Sequence, residues 1–329
     1  HGYGITYAPS YHYAGEKAPY DFTWDVLFPE VTKNIDKNYK VKIGPYGYYS
    51  TRQGWPPTSI YTYNHHPRYI VNQMGLRNKV GILSEAFAHD RLYERMNGTY
   101  GFVAEILEFT HKNGKKMAAV NAKAEKDAID NVLNNAGKIQ KGVRFKMVAL
   151  EKKIENYRTY DYIPYIRKDG KKSFIRSGKI IDVPNVTNLS KFDATVTSTL
   201  PRGYFLPKSM KSIVEHLRKQ GVKVTELKGR KRASGEVFMV EKLTTSKRKF
   251  EGHKMATVEG NYVAKTKTFK KGDYWIDMAQ PLTNLAFYML EPQSDDGLVS
   301  WNFFDDYLKS QGIDSKTVEY PVFKYYTLR

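Results

Sequence analysis

A single carboxylate stands where chemistry is easiest to place in this sequence of 329 residues. Residues 80–83 form an apolar run typical of a buried strand, Glu85 follows it, and helical periodicity begins directly afterwards. Side chains that leave a strand at the carboxyl edge of an open α/β sheet point into a crevice ringed by loops. Glu85 is therefore a candidate general base.

Glu85 also has a purely structural explanation. Ser84 can cap a helix that begins near Ala86, and a glutamate in the first turn is favoured by the partial positive charge of the exposed N–H groups. The spacing alone favours neither role, so general base and helix cap stay open as alternatives.

The elements that must position Glu85 follow from periodicity. Residues 86–110 are predicted to form a helix, ended by Gly114, whose apolar side chains recur every three or four residues and pack on the sheet. These side chains are Leu92, Met96, Tyr100, Val103 and Leu107. A second helix is predicted at 118–135, on the surface, and a short one at 22–28.

Beyond a boundary at residues 137–142 the pattern changes. Residues 143–199 alternate between apolar and polar side chains, which predicts antiparallel strands. Residues 208–220 are predicted to form a helix. Its inward face would carry Met210, Ile213, Val214 and Leu217.

Several short motifs resemble the zinc carboxypeptidase (metallocarboxypeptidase) family, in its bacterial branch with a large C-terminal region. They are His1-Gly2-Tyr3-Gly4-Ile5-Thr6-Tyr7-Ala8-Pro9, Pro67-Arg68-Tyr69 with Asn72, Gly75-Leu76-Arg77-Asn78, Ile82-Leu83-Ser84-Glu85-Ala86, Tyr93 and Arg95, Gly272-Asp273-Tyr274-Trp275, Gln280-Pro281, Leu290-Glu291-Pro292, Trp301-Asn302-Phe303-Phe304-Asp305 and Tyr320-Pro321-Val322. The resemblance spans the chain, and its catalytic part centres on Glu85.

The resemblance implies a function, a fold and a set of site residues. Glu85 would take a proton from a zinc-bound water and return it to the leaving amine during peptide hydrolysis. Tyr63, Arg68, Asn72 and Arg77 would line the substrate cleft. The fold would be α/β, with the C-terminal part of a carboxypeptidase-like mixed sheet flanked by helices in residues 1–136. A strand-rich α+β accessory domain would follow in residues 137–329.

The zinc ligands of the family have no counterpart in this sequence. None of the eight histidines has a glutamate three positions later, so the His-x-x-Glu pair is missing. The resemblance therefore places zinc and its ligands upstream, in another part of the same polypeptide, and implies that this chain alone is inactive. The alternative is a non-catalytic pseudo-peptidase or a cell-surface binding module with a basic surface.

The remaining histidines give no metal site by sequence reasoning. His65 and His66 are adjacent, so on a strand they would point to opposite faces and could not reach one ion. His12 with Glu16 has a helical spacing, but the neighbouring proline and glycine residues favour a loop. We therefore predict no metal ligands within the chain.

Composition limits the partners. The chain has no cysteine, which excludes disulfides and thiolate metal sites. Its net charge of +19 falls almost entirely in residues 111–329, where 42 Lys and Arg face 24 Asp and Glu. The basic runs at 228–232 and 247–249 could bind a polyanion or a cell-surface partner, but no nucleic-acid module appears, and the pattern favours solvated lysines on hairpin loops. No run of about 18 apolar residues is present, and the resemblance favours a periplasmic, cell-surface or secreted protein.

The tyrosine content of the N-terminal region has two readings. Twelve of the 26 tyrosines precede Arg77. Tyrosines suit a substrate cleft because they combine contact area with a polar tip, or they can simply pack long loops against the sheet. Both readings stay open.

Overall fold

A computed structural model describes residues 1–11, 13–51 and 54–328. Its strands, in chain order, are β1 (Ile5–Pro9), β2 (Ile43–Pro45), β3 (Ser59–Tyr61), β4 (Ile82–Ala86), β5 (Gln140–Val148), β6 (Ile154–Ile166), β7 (Lys172–Leu189), β8 (Lys191–Thr199), β9 (Gly203–Leu206), β10 (Thr225–Glu226), β11 (Lys231–Thr245), β12 (Ala256–Phe269), β13 (Tyr274–Asp277) and β14 (Val318–Leu328). The helices are α1 (Lys17–Phe22), α2 (Phe28–Tyr39), α3 (Ile70–Leu76), α4 (Leu92–Asn135), α5 (Lys211–Lys219), α6 (Thr283–Leu290) and α7 (Asp305–Ser310).

The N-terminal region is built on a mixed sheet in the order β2-β1-β4, with β1 parallel to β2 and antiparallel to β4. Helices α2 and α4 bury one face of this sheet around Ile5, Phe28 and Phe102. A π-helical turn, Thr23–Leu27, joins α1 to α2. The helix predicted at 22–28 therefore lies inside a longer helical run.

Helix α4 differs from the prediction in its bounds. It begins at Leu92 and continues through Gly114 to Asn135, so the two predicted helices are one helix of 44 residues. Arg91 and Glu94 cap its first turn, and the Arg91 N–H donates to a Glu94 carboxylate oxygen at 3.1 Å. Ser84 and Glu85 both lie inside β4, and the next helix begins only at Leu92. The predicted alternative, in which Ser84 caps a helix and Glu85 lies in its first turn, is therefore wrong.

The predicted inward face of α4 is wrong. Leu92, Met96, Tyr100 and Leu107 are 63–68% exposed, and Val103 is exposed as well. At about 100° per residue, the buried positions, which include Gly98, Phe102, Glu105 and Phe109, lie on the opposite face. Two glycines let this face of α4 pack closely on its neighbours. A Cβ at Gly98 would lie 3.3 Å from Ile5, and one at Gly101 would lie 2.7 Å from the Tyr39 ring. We call the exposed set Leu92, Met96, Tyr100, Val103 and Leu107 the apolar stripe.

The C-terminal region is strand-rich, as predicted. Six strands form a sheet in the order β10-β13-β9-β14-β11-β12, while β6 and β7 form a long hairpin and β5 pairs with β8. The helix predicted at 208–220 is confirmed: a 3₁₀ turn, Lys208–Met210, leads into α5, and the four predicted inward side chains are buried. The predicted fold class, a mixed sheet with helices followed by an α+β region, is confirmed.

A buried ion pair lies in the interior of this C-terminal sheet. Lys324 and Glu291 are each 1% exposed, and Lys324 Nζ lies 3.0 Å from Glu291 Oε1. The hydroxyls of Tyr204 and Tyr262 donate to the two Glu291 oxygens at 2.5 and 2.6 Å. The carboxylate is thus fully hydrogen-bonded, which a buried charge requires.

Hydrogen bonds cross the predicted boundary between residues 1–136 and 137–329. Strand β3 runs parallel to β7, with Ser59 opposite Thr187, and Asn78 Nδ2 donates to the Pro281 carbonyl at 3.0 Å. The division into two domains stays a prediction. Within the described residues, no helix combines the length and apolar character needed to cross a membrane.

The continuity of α4 predicts opposite effects of alanine at two of its glycines. A Cβ added at Gly114 would have no atom within 4 Å, whereas one added at Gly101 would touch the Tyr39 ring. Gly114→Ala should raise the free energy of unfolding by about 1 kcal/mol through helix propensity. Gly101→Ala should gain nothing or lose stability, because the ring must move. Urea denaturation compares the two, and equal effects would contradict the observed face of α4.

Candidate active site

Glu85 faces a cleft on the side of the sheet away from α4. It pairs with Thr6 of β1, whose hydroxyl donates to the Glu85 carbonyl at 3.4 Å. Leu83 packs in the tyrosine-rich cluster and Ile82 packs on the helix side. Because side chains alternate along a strand, Glu85 points to the tyrosine side. The residue is partly open to solvent, and no ion pair engages its carboxylate in the described part of the chain.

The cleft measures about 480 Å³ and is lined mainly by aromatic side chains. Besides Glu85, it contains Tyr46, Tyr48, Tyr49, Tyr61, Tyr162, His1 and Phe87. This composition is typical of a ligand site, in which aromatic surface surrounds a few polar groups. The prediction that N-terminal tyrosines form a cleft is thus supported for those that line it, while Tyr11 is buried in a hydrophobic core.

Short backbone pairings place the tyrosines. The Tyr46 N–H, just after β2, donates to the Tyr7 carbonyl at 2.8 Å. Tyr48 and Tyr61 exchange two backbone hydrogen bonds of 2.8 and 2.9 Å. The Tyr46 and Tyr48 hydroxyls also hydrogen-bond each other. The wall of the cleft is therefore held by backbone hydrogen bonds to β1 and β3.

The surroundings of Glu85 shift the pKa of its carboxyl group. Partial burial raises the pKa of the Glu85 carboxyl above its usual value, and a hydrogen bond with Tyr46 partly opposes this shift. A carboxylate with a raised pKa binds a proton more strongly, which suits a general base. Tyr46 is itself largely buried, and burial raises the pKa of its hydroxyl, so it stays protonated and able to donate.

The hydrogen bond with Tyr46 gives a prediction for pH dependence. Because this bond favours the ionised carboxylate, Tyr46→Phe should raise the pKa of Glu85 further. On acidification, the Glu85 carboxylate of the variant would then become protonated at a higher pH than in the parent. Carboxyl ¹³C NMR titration of Glu85 measures the shift. Tyr63→Phe is the control, since its hydroxyl bonds no described group, and an equal shift in both variants would contradict the assignment.

Tyr63 lies one layer behind the cleft. Its ring packs edge-on against Tyr46, with centroids 5.5 Å apart, and against Tyr69 at 5.1 Å. It therefore supports a residue that contacts Glu85. Tyr61, two positions earlier, is the tyrosine of this segment that lines the cleft.

Arg68, Asn72 and Arg77 bind other parts of the chain and are not among the described residues that line the cleft. Arg68 Nε donates to Asp296 Oδ1 at 2.9 Å, and its guanidinium stacks on Trp301 at 4.8 Å. Asn72 is buried and accepts the Tyr11 N–H at 2.8 Å. Arg77 donates to the Gln220 carbonyl at 3.0 Å. The structure gives each a positional role, and contact with substrate stays a prediction.

Sequence reasoning missed several residues of the cleft. Tyr46, Tyr48 and Tyr49 follow β2, and Tyr162 comes from the β6–β7 hairpin, more than 75 positions beyond Glu85. The high tyrosine content of the N-terminal region was a usable signal for the first three. His1 was not proposed, although its ring packs on Phe87 at 4.9 Å within the cleft.

The reasoning that separated His65 from His66 is wrong. Residues 62–66 form no strand, and the two rings lie 4.7 Å apart on the same side of the chain. With Asp295 they form a group whose ligand atoms lie within 4.8 Å of one another. His65 is also buried. His12, the other histidine considered, lies outside the described residues.

The two basic runs lie at opposite ends of one strand. Residues 228–230 precede β11 and residues 247–249 follow it, and a strand of 15 residues measures about 50 Å. They are therefore separate positive patches and not one surface. Binding of a polyanion or cell-surface partner stays a prediction.

Comparison with known proteins points to carboxypeptidases. Carboxypeptidase 2 of Trichophyton rubrum is 22% identical over 301 residues, which are 87% of this chain and 54% of that protein. Carboxypeptidase 2 of Trichophyton tonsurans is 32% identical over 108 residues, which are 33% of this chain and 20% of that protein. No family model matches the chain, and no solved structure matches it.

These similarities indicate a carboxypeptidase-related family. The chain spans about half the length of the T. rubrum relative. Both named relatives are fungal, so the bacterial branch of the resemblance stays a prediction, as do zinc and export.

Proposed function

We propose that this chain belongs to a peptidase that removes residues from the carboxyl end of peptides, with Glu85 as general base. The observation that carries the proposal is a carboxylate with a raised pKa, at the end of a strand, in an aromatic cleft. The similarity to proteins named carboxypeptidase 2 supports this reaction class.

The chemistry of Glu85 follows from its position. The ionised carboxylate takes a proton from a water molecule as the water oxygen attacks the scissile carbonyl carbon. It then gives this proton to the nitrogen of the leaving amine as the C–N bond breaks. Tyr48 and Tyr61 lie on the cleft wall, where their hydroxyls can donate to carbonyl or carboxylate oxygens of the peptide.

The described residues of the cleft do not fit a zinc ion by themselves. A catalytic zinc site uses about three protein ligands and a water molecule. Here the cleft offers one imidazole, His1, and one carboxylate, Glu85, and the second of these is needed as base. We propose that the other ligands of the zinc implied by the resemblance belong to polypeptide outside these 329 residues. The proton transfers of Glu85 use only this chain, water and peptide.

The surface of α4 supports a site that is shared between this chain and further polypeptide. The helix is apolar on two opposite faces: one packs on the sheet, and the other is the exposed apolar stripe. An apolar stripe along a helix normally faces a core. In addition, β4 pairs with β1 alone, so within the described residues its other edge carries no strand. We propose that the remaining polypeptide covers the stripe and extends the sheet beyond β4.

Glu85→Gln in the natural polypeptide that contains this sequence tests the base. The amide keeps the shape of the side chain but cannot accept the proton, so turnover should fall by about 10²-fold or more. Hydrolysis of a peptide with a free C-terminal carboxylate is the assay, and the same peptide with a C-terminal amide should be resistant. The free energy of unfolding should stay within about 0.5 kcal/mol of the parent.

Glu108→Gln is the matched control, because Glu108 is an exposed glutamate on α4. Full turnover after Glu85→Gln would remove Glu85 from its role. Absence of hydrolysis by the parent polypeptide would favour the non-catalytic binding module instead. The 329-residue chain alone should not hydrolyse either peptide, and activity there would contradict the proposed division of the site.

Leu107→Ala tests the covered stripe. In the 329-residue chain Leu107 is exposed, so the free energy of unfolding should change by no more than about 0.5 kcal/mol. In the longer polypeptide the same side chain would be buried, and its loss should cost about 2–5 kcal/mol. Leu133→Ala is the control, since Leu133 is exposed on α4 but outside the stripe. Equal, small effects of Leu107→Ala in both proteins would contradict the docking surface.

A further inference from the structure

Three potential metal ligands meet where the loop after β3 contacts the segment between α6 and α7. His65 and His66 come from this loop, and Asp295 follows α6 by five residues. No role in the reaction proposed above involves them. Two imidazoles and a carboxylate are a donor set that suits zinc and similar divalent ions, whereas Mg²⁺ and Ca²⁺ prefer oxygen ligands.

The distances fit a shared ion. His65 Nε2 lies 3.1 Å from Asp295 Oδ2 and 3.2 Å from Oδ1. Two ligands on one tetrahedral zinc, each bonded at about 2.0–2.2 Å, lie roughly 3.3 Å apart. The third donor, on His66, is within 4.8 Å of the other two, so we expect this less buried side chain to rotate toward them when the ion binds.

We propose that His65, His66 and Asp295 bind one divalent ion of the zinc class. His65 would ligate through Nε2, with its ring proton on Nδ1. Water would complete the coordination on the open side, where Asp295 is 20% exposed.

The surrounding residues hold the ligands in place. Asp295 accepts hydrogen bonds from the Tyr288 hydroxyl and from the Phe145 N–H, the latter at 3.1 Å. Each carboxylate oxygen has a second lone pair for the ion. The His65 ring packs against Phe145 and Phe192, with centroids 4.9 and 5.0 Å away. Such outer contacts orient metal ligands and raise affinity.

A neighbouring cation, Arg68, is engaged elsewhere. Its guanidinium is paired with Asp296, so it does not compete with a metal ion for Asp295.

The expected role of the ion is to fasten the loop that carries Tyr63 to the C-terminal region. It would act independently of Glu85, so Glu85→Gln should leave metal binding unchanged.

Metal content and titration of the full chain test the proposal. Dialysed protein titrated with ZnCl₂ should bind one equivalent at pH 7 and show a higher thermal transition, since binding to the folded state alone stabilises it. MgCl₂ at the same concentration should do neither. His66→Gln should weaken zinc binding by at least about 10-fold and abolish the thermal shift.

His111→Gln is the control, because His111 is exposed on α4. Asp295→Asn is a second test, with circular dichroism to verify folding, since Asp295 also bonds Tyr288. Failure of the native chain to bind zinc would overturn the proposal. So would binding that His66→Gln leaves unchanged, because the ion would then lie elsewhere. Co²⁺ substitution would report the ligand geometry through its visible spectrum.

Discussion

Two consecutive carboxylates, Asp295 and Asp296, hold the loop that leads from β3 to α3. Asp296 is buried and accepts the Arg68 backbone N–H at 3.0 Å as well as its guanidinium, and the Trp301 indole N–H donates to it at 2.9 Å. An unpaired charge in such a place would cost several kcal/mol, so the loop conformation that brings Arg68 there is strongly selected. Asp295 fixes His65 three residues earlier.

The geometry of the cleft depends on this attachment. The loop begins directly after Tyr61, which lines the cleft, and contains Tyr63, which supports Tyr46 from behind. On the far wall, Tyr49 bonds Thr159 of β6 at 2.8 Å. The position of Glu85 relative to its tyrosines is thus set by residues from both regions of the chain. The C-terminal region is structural support for the cleft, whatever binding role its basic patches have.

Local sequence patterns predicted much of this fold. What they did not predict depends on contacts between residues far apart in the sequence. The strand that carries Glu85 and the inward face of α5 follow from short apolar runs. The continuity of α4 through Gly114 does not, because one exposed glycine costs only about 1 kcal/mol and long helical neighbours outweigh it. Arg68, Asn72 and Arg77 were assigned to substrate from motifs alone. Two of them bind Asp296 and Gln220, more than 140 positions away, which no local pattern encodes.

The apolar stripe on α4 is a second case in which a local pattern did not predict the contacts of a residue. Periodicity identified an apolar face of α4 but assigned it to the sheet, whereas the structure exposes it. Single exposed apolar residues are ordinary. Five on one face of a helix are not, since burying each would contribute about 1.5–3 kcal/mol, a total comparable with the net stability of a whole domain.

The stripe and the open edge of β4 belong to neighbouring layers of one unit, because α4 packs on the sheet in which β4 is the last strand. Polypeptide that covers α4 and adds a strand beyond β4 must pass beside Glu85, which lies on that strand. It would therefore reach the cleft beside Glu85, the proposed base, where the described residues offer too few ligands for the zinc ion that the proposal requires. Under this proposal, the same polypeptide would bury the second face of α4 and complete the site.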